Sequence, residues 1–396
     1  MIEARDGRRV VITGVGVVAP CGIGAEAFWA GLSTPVQPET NRRITDFDPA
    51  EWGLKHVEVR RIERFAQLAI AAAALARRDA GIEEDSPYDP YRCGVMMGTG
   101  IGGAYAWEHN AEVLMTKGEK YVSPLVVPMV MPNAASANVS IRSGFTGPVE
   151  TITTACAAGT HAVGHGARLI ASGRADVVLA GGSESCQTPV MSNGFQNMKA
   201  LSPTGVSRPF DVGRDGFCSA EAGAVLVLEE YEAARARGAT IYAEIAGTGS
   251  TADAHHITAP SPNGAGAIAC MKAALEDAGV EAEEVTHVNA HGTSTQLNDA
   301  AEAIAVKEVF GGNRPAVTSI KGVTGHSLGA AGAVEAVALA LTFRNREIPP
   351  TMHVTELDAD LDIDVVLEPR PWEPAPALSN SFAFGGHNGT LVFCPI

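Results

Sequence analysis

Cys156 stands between a β-like run, Val149 to Thr153, and a helix whose apolar face reads Val163, Ala167 and Ile170. Its neighbours Ala155, Ala157 and Gly159 are small and leave room beside the sulfur. The spacing puts a thiol at a helix N-terminus, where unpaired N–H groups and the helix dipole favour thiolate and lower a pKa otherwise near ~8.5. Such a thiolate is a nucleophile. The alternative is a small buried hydrophobe, the usual part of a free cysteine.

Two further segments have compositions that core packing does not explain. Val288 to Asp299 reads Val-Asn-Ala-His-Gly-Thr-Ser-Thr-Gln-Leu-Asn-Asp, a strand ending in a polar turn before a helix capped near Asn298 or Asp299. Ser319 to Glu335 is again a strand into a helix, and each segment offers one histidine at a strand end, His291 and His326. Histidines in pairs also suggest zinc, as do His161 and His165 spaced i, i+4. Neither set brings a third ligand or an upstream carboxylate, so no catalytic metal is expected.

These residues must be held by an alternating framework. Short apolar strands recur at Val10–Thr13, Cys93–Met97, Val149–Thr153, Val177–Ala180, Val225–Leu228, Tyr242–Ile245, His287–Asn289, Val317–Ser319 and Thr390–Phe393, with helical stretches between. That rhythm belongs to a layered α/β fold. A weak internal echo is also present. Arg9 to Gly14 answers to Ala243 to Gly247, the Cys156 turn to Thr324–Gly329 opening Ala330 to Leu341, and Ala224 to Glu229 to Gly389 to Phe393. A duplicated α/β unit would set the two helix starts face to face.

The 396 residues, 46% hydrophobic and 19% charged, suffice for two or three domain-sized units and a large core. A net charge of −16 repels nucleic acid and requires any acidic partner to meet a local basic patch. One candidate patch is Lys55, Arg60, Arg61 and Arg64, before or inside the amphipathic helix Ile62, Phe65, Leu68, Ala69, Ala72, Leu75. Lys117, Lys120, Lys199 and Arg208 follow in later loops. A solvated face is the default reading of such charges. Seven scattered cysteines show neither a disulfide framework nor CxxC spacing, which fits a reducing cytoplasm. Met1 to Val10 lacks the apolar core of a signal peptide, and no stretch approaches the ~18 apolar residues of a membrane span.

Together, the segments around Cys156, His291 and His326 resemble the condensing enzymes of the thiolase fold, specifically the β-ketoacyl-[acyl-carrier-protein] synthase II group and the similar type II polyketide ketosynthases. The resemblance runs from Val10-Val11-Ile12-Thr13-Gly14-Val15-Gly16 to Ser379-Asn380-Ser381-Phe382-Ala383-Phe384-Gly385-Gly386-His387-Asn388-Gly389. It implies two pseudo-symmetric halves in an α/β/α/β/α layering. Residues 1–238 would carry the nucleophile and insertions, and 239–396 the two histidines.

The activity it implies is acyl transfer to Cys156, then decarboxylative Claisen condensation with a malonyl-carrier protein. His291 and His326 would donate hydrogen bonds to the malonyl thioester carbonyl. The backbone N–H groups of Cys156 and Phe384 would form the oxyanion hole. Lys321 and Glu335 match the family's lysine and acid and would hold His326 and its network, Thr293 and Thr295 lie where the malonyl group binds, and Phe384 matches the acyl-pocket gate. Asn289, Ala290, Glu335, Ser379 and Asn380 approximate a monovalent-cation site. No other cofactor is implied, because substrates ride the phosphopantetheine arm of an acyl carrier protein, which the basic cluster would dock. The chain would form a homodimer, or a heterodimer with a chain-length-factor-like subunit.

Departures from the family pattern leave the substrate open. Ala383 and His387 stand where Gly-Phe-Gly-Gly-Thr-Asn is common, and Gln296 stands where proline commonly follows His-Gly-Thr-Ser-Thr. Three relatives in fold are disfavoured. Chain-length factors lack the nucleophile, thiolases need a second reactive cysteine that Cys394 does not supply, and priming synthases carry asparagine at the position of His326.

Overall fold

The computed structural model describes residues 8–83 and 86–396; the run Met1 to Gly7, part of the signal-peptide reading, lies outside them. Ten of the strands build the frame. In the first half they are β1 (Val10–Ala19), β2 (Cys93–Gly98), β3 (Val149–Ile152), β4 (Val177–Glu184) and β5 (Ala222–Glu230). In the second they are β6 (Ala243–Ala252), β7 (His287–Asn289), β8 (Ala316–Thr318), β9 (Ala377–Ala383) and β10 (His387–Cys394).

The first sheet runs β3-β2-β4-β5-β1 and the second β8-β7-β9-β10-β6, the same order when each half is counted from its own first strand. The pairing senses also repeat. β2 lies parallel to β3 and β4, as β7 does to β8 and β9, and the remaining pairs in each sheet are antiparallel. The echo in the sequence is therefore a repeated topology. Among the described residues the sheets join where Val11 and Ile12 of β1 pair with Glu244 and Ala243 of β6.

Five of the helices complete the layers: α1 (Arg64–Asp79), α2 (Ala158–Ala171), α3 (Ala265–Ala278), α4 (Gln296–Phe310) and α5 (Ala331–Asn345). α1 covers the outer face of the first sheet and α3 that of the second, with α4 packed on α3. α2 and α5 touch each other and both sheets, so they are the central layer. This position explains their composition. Every residue of α5 from Ala331 to Phe343 is buried, and the face Val163, Ala167, Ile170 of α2 packs into the core between the sheets. A helix apolar all round has no solvent side to offer.

Two boundaries differ from the sequence reading. α1 starts at Arg64, so Ile62 precedes the helix, and α4 is capped by Thr295, whose Oγ1 accepts the Asn298 N–H at 3.4 Å. Asp299 is buried instead and accepts the Phe210 N–H at 2.9 Å.

Candidate active site

Cys156 lies in a 3-10 turn, Ala155–Ala157, that feeds α2. A matching turn, Leu328–Ala330, feeds α5, and the two turns pack together at the centre of the molecule. Ala155 and Leu328, the first residue of each, both have positive φ, 49° and 46°. By this register the counterpart of Cys156 is Gly329, and His326 sits just before its own turn. A non-glycine residue in that backbone region is uncommon and needs surrounding structure to hold it.

His326 is not at a strand end as expected. Ser319, Ile320, a four-residue helix, Lys321–Thr324, and Gly325 separate it from β8. It is clamped instead by the first half of the chain, where Cys218 O accepts its N–H at 2.7 Å and its own carbonyl accepts the Ala220 N–H at 3.0 Å. The ring meets Phe217 edge-on at 5.2 Å and His291 edge-on at 5.3 Å. Its Nε2 lies 3.1 Å from Cys156 Sγ. Its Nδ1 has no partner among the described residues.

His291 follows β7 by two residues and is held from below. Glu302 on α4 accepts the N–H groups of His291 and Gly292 at 2.8 and 2.7 Å. Lys321 Nζ donates to His291 O at 2.6 Å, sits 3.3 Å from His291 Nδ1 and pairs with Glu335. The sequence reading assigned Lys321 and Glu335 to His326; the lysine reaches His291. Since an ammonium can only donate, Nδ1 of His291 must accept, and its proton resides on Nε2.

Burial dominates the electrostatics. It pushes the Cys156 thiol up to about 12, opposed by the Lys321 charge and by the Phe384 N–H. The helix-end argument pointed the other way because it saw only the local segment. The walls of the site come from elsewhere in the chain and exclude water from the sulfur. Burial also holds His291 and His326 well below the usual histidine value, so both rings are neutral. It raises Glu335, Glu302 and Glu184 to about 7, against Lys321 for the first and backbone N–H groups for the others.

A cavity of about 350 Å³ opens onto Cys156, His291 and His326 and is lined further by Thr293, Thr295, Phe384 and, at its mouth, Lys199. Thr293 and Thr295 share a hydroxyl–hydroxyl contact of 2.9 Å. Phe195, Phe217 and Leu328 line the same cavity and pack with Ala104, Cys186, Leu201 and Met191 in an apolar cluster around the sulfur. Cys156 thus faces a cavity whose wall is largely apolar, with the two histidines and two threonines as its polar part. Phe384 sits in the turn between β9 and β10, where Gly385 and Gly386 take φ of 81° and 72° that glycine alone adopts freely. Ala383 is extended, φ −122°, and fits its position without strain. His387 pairs with it across the hairpin and lays its ring beside Gly385.

Other expected residues divide. Asn289 donates to Glu335 O at 3.1 Å and Ser379 Oγ at 3.2 Å, while its Oδ1 is buried with no partner among the described residues. Asn380 turns its amide to Met271 and Thr390. Arg64 offers no free charge, because it pairs with buried Glu221 at 2.9 Å and donates to Ile44 O at 2.8 Å. Arg208 is also engaged, with Thr204 at 3.2 Å and Asp215 at 3.6 Å. Lys55, Arg60, Arg61, Lys117, Lys120 and Lys199 are exposed.

Sequence reasoning missed Glu302, Glu184 and Phe217. Glu184 accepts the N–H of Gly100 at 2.5 Å and of Gly329 at 3.2 Å, tying the end of β4 to the turn that follows His326. The available signal was an acid inside an otherwise apolar element, Glu184 closing a buried strand and Glu302 beside Ala303 and Val306.

Comparison with known proteins matches this arrangement. The profile of the β-ketoacyl synthase N-terminal domain matches residues 35–234 and that of the C-terminal domain residues 242–355. The chain belongs to the β-ketoacyl synthase family. It is 44% identical over 407 aligned residues to a 3-oxoacyl-[acyl-carrier-protein] synthase 2 of Coxiella burnetii, covering 97% of this chain and 98% of that protein. With the synthase 2 of Vibrio harveyi it shares 42% over 409, covering 98% of each. Among solved structures it is similar to the ishigamide ketosynthase/chain length factor, with TM-score 0.91, 35% identity and coverage of 98% and 99%. A type II polyketide ketosynthase bound to its acyl-carrier protein gives TM-score 0.87 at 31% identity, covering 98% and 100%.

Proposed function

We propose that this β-ketoacyl synthase is a 3-oxoacyl-[acyl-carrier-protein] synthase, extending an acyl chain in fatty acid or type II polyketide synthesis. The observation that carries the reading is Cys156 Sγ 3.1 Å from a neutral His326 Nε2, in a largely apolar cavity that also presents His291, Thr293 and Thr295.

In the first half-reaction the thiol proton passes to His326 Nε2 as Sγ attacks the acyl thioester carbonyl. The N–H groups of Cys156 and Phe384 take the oxyanion, and the proton leaves with the departing carrier sulfur. The acyl chain then lies among Leu201, Phe217 and Phe195. In the second, malonyl-carrier protein enters over Thr293 and Thr295, and its carboxylate departs as carbon dioxide. The electron pair left behind forms an enolate that receives N–H bonds from His291 and His326 and attacks the acyl-Cys156 carbonyl, expelling the sulfur.

The two histidines are held differently. Lys321 fixes His291 with its proton on Nε2 at all times. His326 has no such partner at Nδ1 among the described residues, so once Cys156 is acylated and stops donating to Nε2, that ring takes its proton there by exchange with solvent. The glutamate partner, Glu335, stays paired with Lys321. A monovalent cation would be held by Asn289 Oδ1 and Glu335 Oε2, buried acceptors with no partner among the described residues, beside Ala290 and Ser379. Asn380 points its side chain elsewhere.

The substrates need no other cofactor than the carrier's own arm. Arg60, Arg61, Lys120 and Lys199 are the exposed cations we assign to an acidic carrier protein, with Lys55 and Lys117 flanking them and Arg64 and Arg208 in structural roles. Exposed Val127, Met131, Ile141 and Val149 near the β3 edge support a dimer, with a second copy or a chain-length-factor-like subunit. Within each chain we assign residues 1–238 and 239–396 to the two halves. The cytoplasm suits a chain with seven scattered cysteines, and among the described residues no helix is long and apolar enough to cross a membrane. Incubation with malonyl-carrier protein and a ladder of acyl-carrier proteins should release carbon dioxide and yield β-ketoacyl products two carbons longer. Products formed only with coenzyme A thioesters, or none at all, would reject the reading.

A further inference from the structure

We infer that His161 is a positioning residue that clamps the turn carrying Cys156 to the hairpin carrying Phe384, and so keeps the two oxyanion donors in register. The inference rests on the condensing reaction proposed above.

His161 projects from the first turns of α2, five positions beyond the nucleophile. Its Nδ1 lies 2.8 Å from Thr154 Oγ1, two residues before Cys156. Its Nε2 lies 3.1 Å from Asn388 O, immediately past the hairpin turn, and 3.3 Å from Ser250 Oγ on β6. A carbonyl oxygen only accepts, so Nε2 carries the proton and Nδ1 accepts the Thr154 hydroxyl proton. One neutral tautomer therefore satisfies both ends. Burial, helped by the neighbouring Arg168 charge, holds the ring below the ordinary histidine value, which keeps it neutral.

The surroundings are shaped for this ring. A Cβ on Gly389 would come within 3.0 Å of His161 Nε2, so the bare backbone of β10 is what lets the imidazole reach Asn388 O. The hairpin is tied on its other side by the loop after β6. Asp253 N–H donates to Gly386 O at 2.8 Å, Asn388 Nδ2 donates to Asp253 Oδ1 at 2.8 Å, and Gly385 N–H donates to Ile257 O at 2.7 Å. Ile257 is exposed, whereas His161 is half-buried. The turn that carries Phe384 is thus anchored at its base on α2, the helix that the nucleophile's turn feeds, while its tip rests on a solvent-facing loop.

The reacting sulfur already senses both segments, since the Phe384 N–H points at Cys156. Neither donor is lost when His161 is changed, but their mutual placement loosens. A displacement of about 1 Å at a reacting centre costs on the order of 10²-fold in rate.

Three substitutions separate the links. Thr154→Val removes only the hydroxyl at nearly constant shape. His161→Gln keeps an N–H near the Nε2 position and gives up the Nδ1 acceptor. His161→Asn does the reverse. Each should lower kcat for acyl transfer and for condensation by about 10- to 100-fold, with KM for carrier-bound substrate within about twofold and the melting temperature within a few degrees. Thr154→Val and His161→Gln cut the same link, so the double variant should cost no more than the worse single one, whereas independent effects would multiply. The inference is overturned if kcat stays within twofold in all three, or if its fall merely tracks a fall in folded fraction, while Cys156→Ala is inactive. Condensation that survives in Cys156→Ala would instead overturn the assigned reaction.

Discussion

Replacing Lys321 by methionine should separate the two half-reactions. The lysine is buried and makes three contacts, to Glu335, to His291 O and to His291 Nδ1. Removing one member of a buried ion pair costs about 3–5 kcal/mol when the other charge must stay. Glu335 need not stay charged. It already stands at about 7 with Lys321 holding it down, so without the lysine it takes up a proton at neutral pH. The cost then falls to that of the lost hydrogen bonds, about 2–3 kcal/mol. Folded Glu335 would keep a proton that the unfolded chain releases above its ordinary 4.5, so the variant should lose stability as pH rises from about 5 to 8.

The catalytic effect is larger. His291 loses the donor that fixes its tautomer, and with it the Nε2–H that meets the enolate. Loss of one such donor costs about 2.7–4 kcal/mol, or roughly 10²–10³ in kcat. Acyl transfer suffers differently, because Lys321 is the foremost group lowering the Cys156 thiol, and raising pH should restore part of that rate. Mass spectrometry of malonyl-carrier protein turnover measures decarboxylation, and trapping the acyl-enzyme measures transfer. A folded Lys321→Met protein that decarboxylates within threefold of the parent would refute the assignment of Lys321 to His291.

Reversing Arg60 and Arg61 to glutamate should raise KM for carrier-bound substrate about tenfold and spare a small thioester mimic, whereas equal effects on both would remove the docking role. Arg64→Ala should act on the melting temperature instead, since it strips buried Glu221 of its partner. His287 is buried with Nδ1 2.9 Å from Ala316 O and is pushed down to about 4, so it contributes stability that is complete above its unfolded value near 6.5 and is lost as pH falls toward 4. The loss amounts to about 2 kcal/mol at pH 5. His287→Gln should narrow the difference in melting temperature between pH 7.5 and pH 5, and an unchanged difference would contradict the assignment.

What could be read from the sequence was local. Cys156, His291 and His326 stood out because small and polar residues surround them at the ends of apolar runs, and a weak repeat of strand, turn and helix hinted at the repeated strand order. The missing relationships span the chain. Lys321 meets His291 across thirty positions, Arg64 meets Glu221 across 157, and His326 is clamped by Cys218 and Ala220 of the other half. Strand spacing carries no trace of such contacts. The thiol illustrates the cost of local reasoning. Its helix end argues for a low pKa, yet packing from Leu328, Phe217 and Cys186 buries it and raises the value. In the proposed mechanism its reactivity comes from His326 and the oxyanion donors during attack.

The central claim is that Cys156 carries the growing chain as a thioester between two carrier-protein encounters. Intact-protein mass spectrometry after incubation with an acyl-carrier protein, before malonyl-carrier protein is added, tests it most directly. The account predicts one acyl group per chain, located on the peptide containing Cys156, discharged when malonyl-carrier protein arrives and absent in Cys156→Ala. An acyl group on another residue, or condensation with no acylated intermediate, would contradict it.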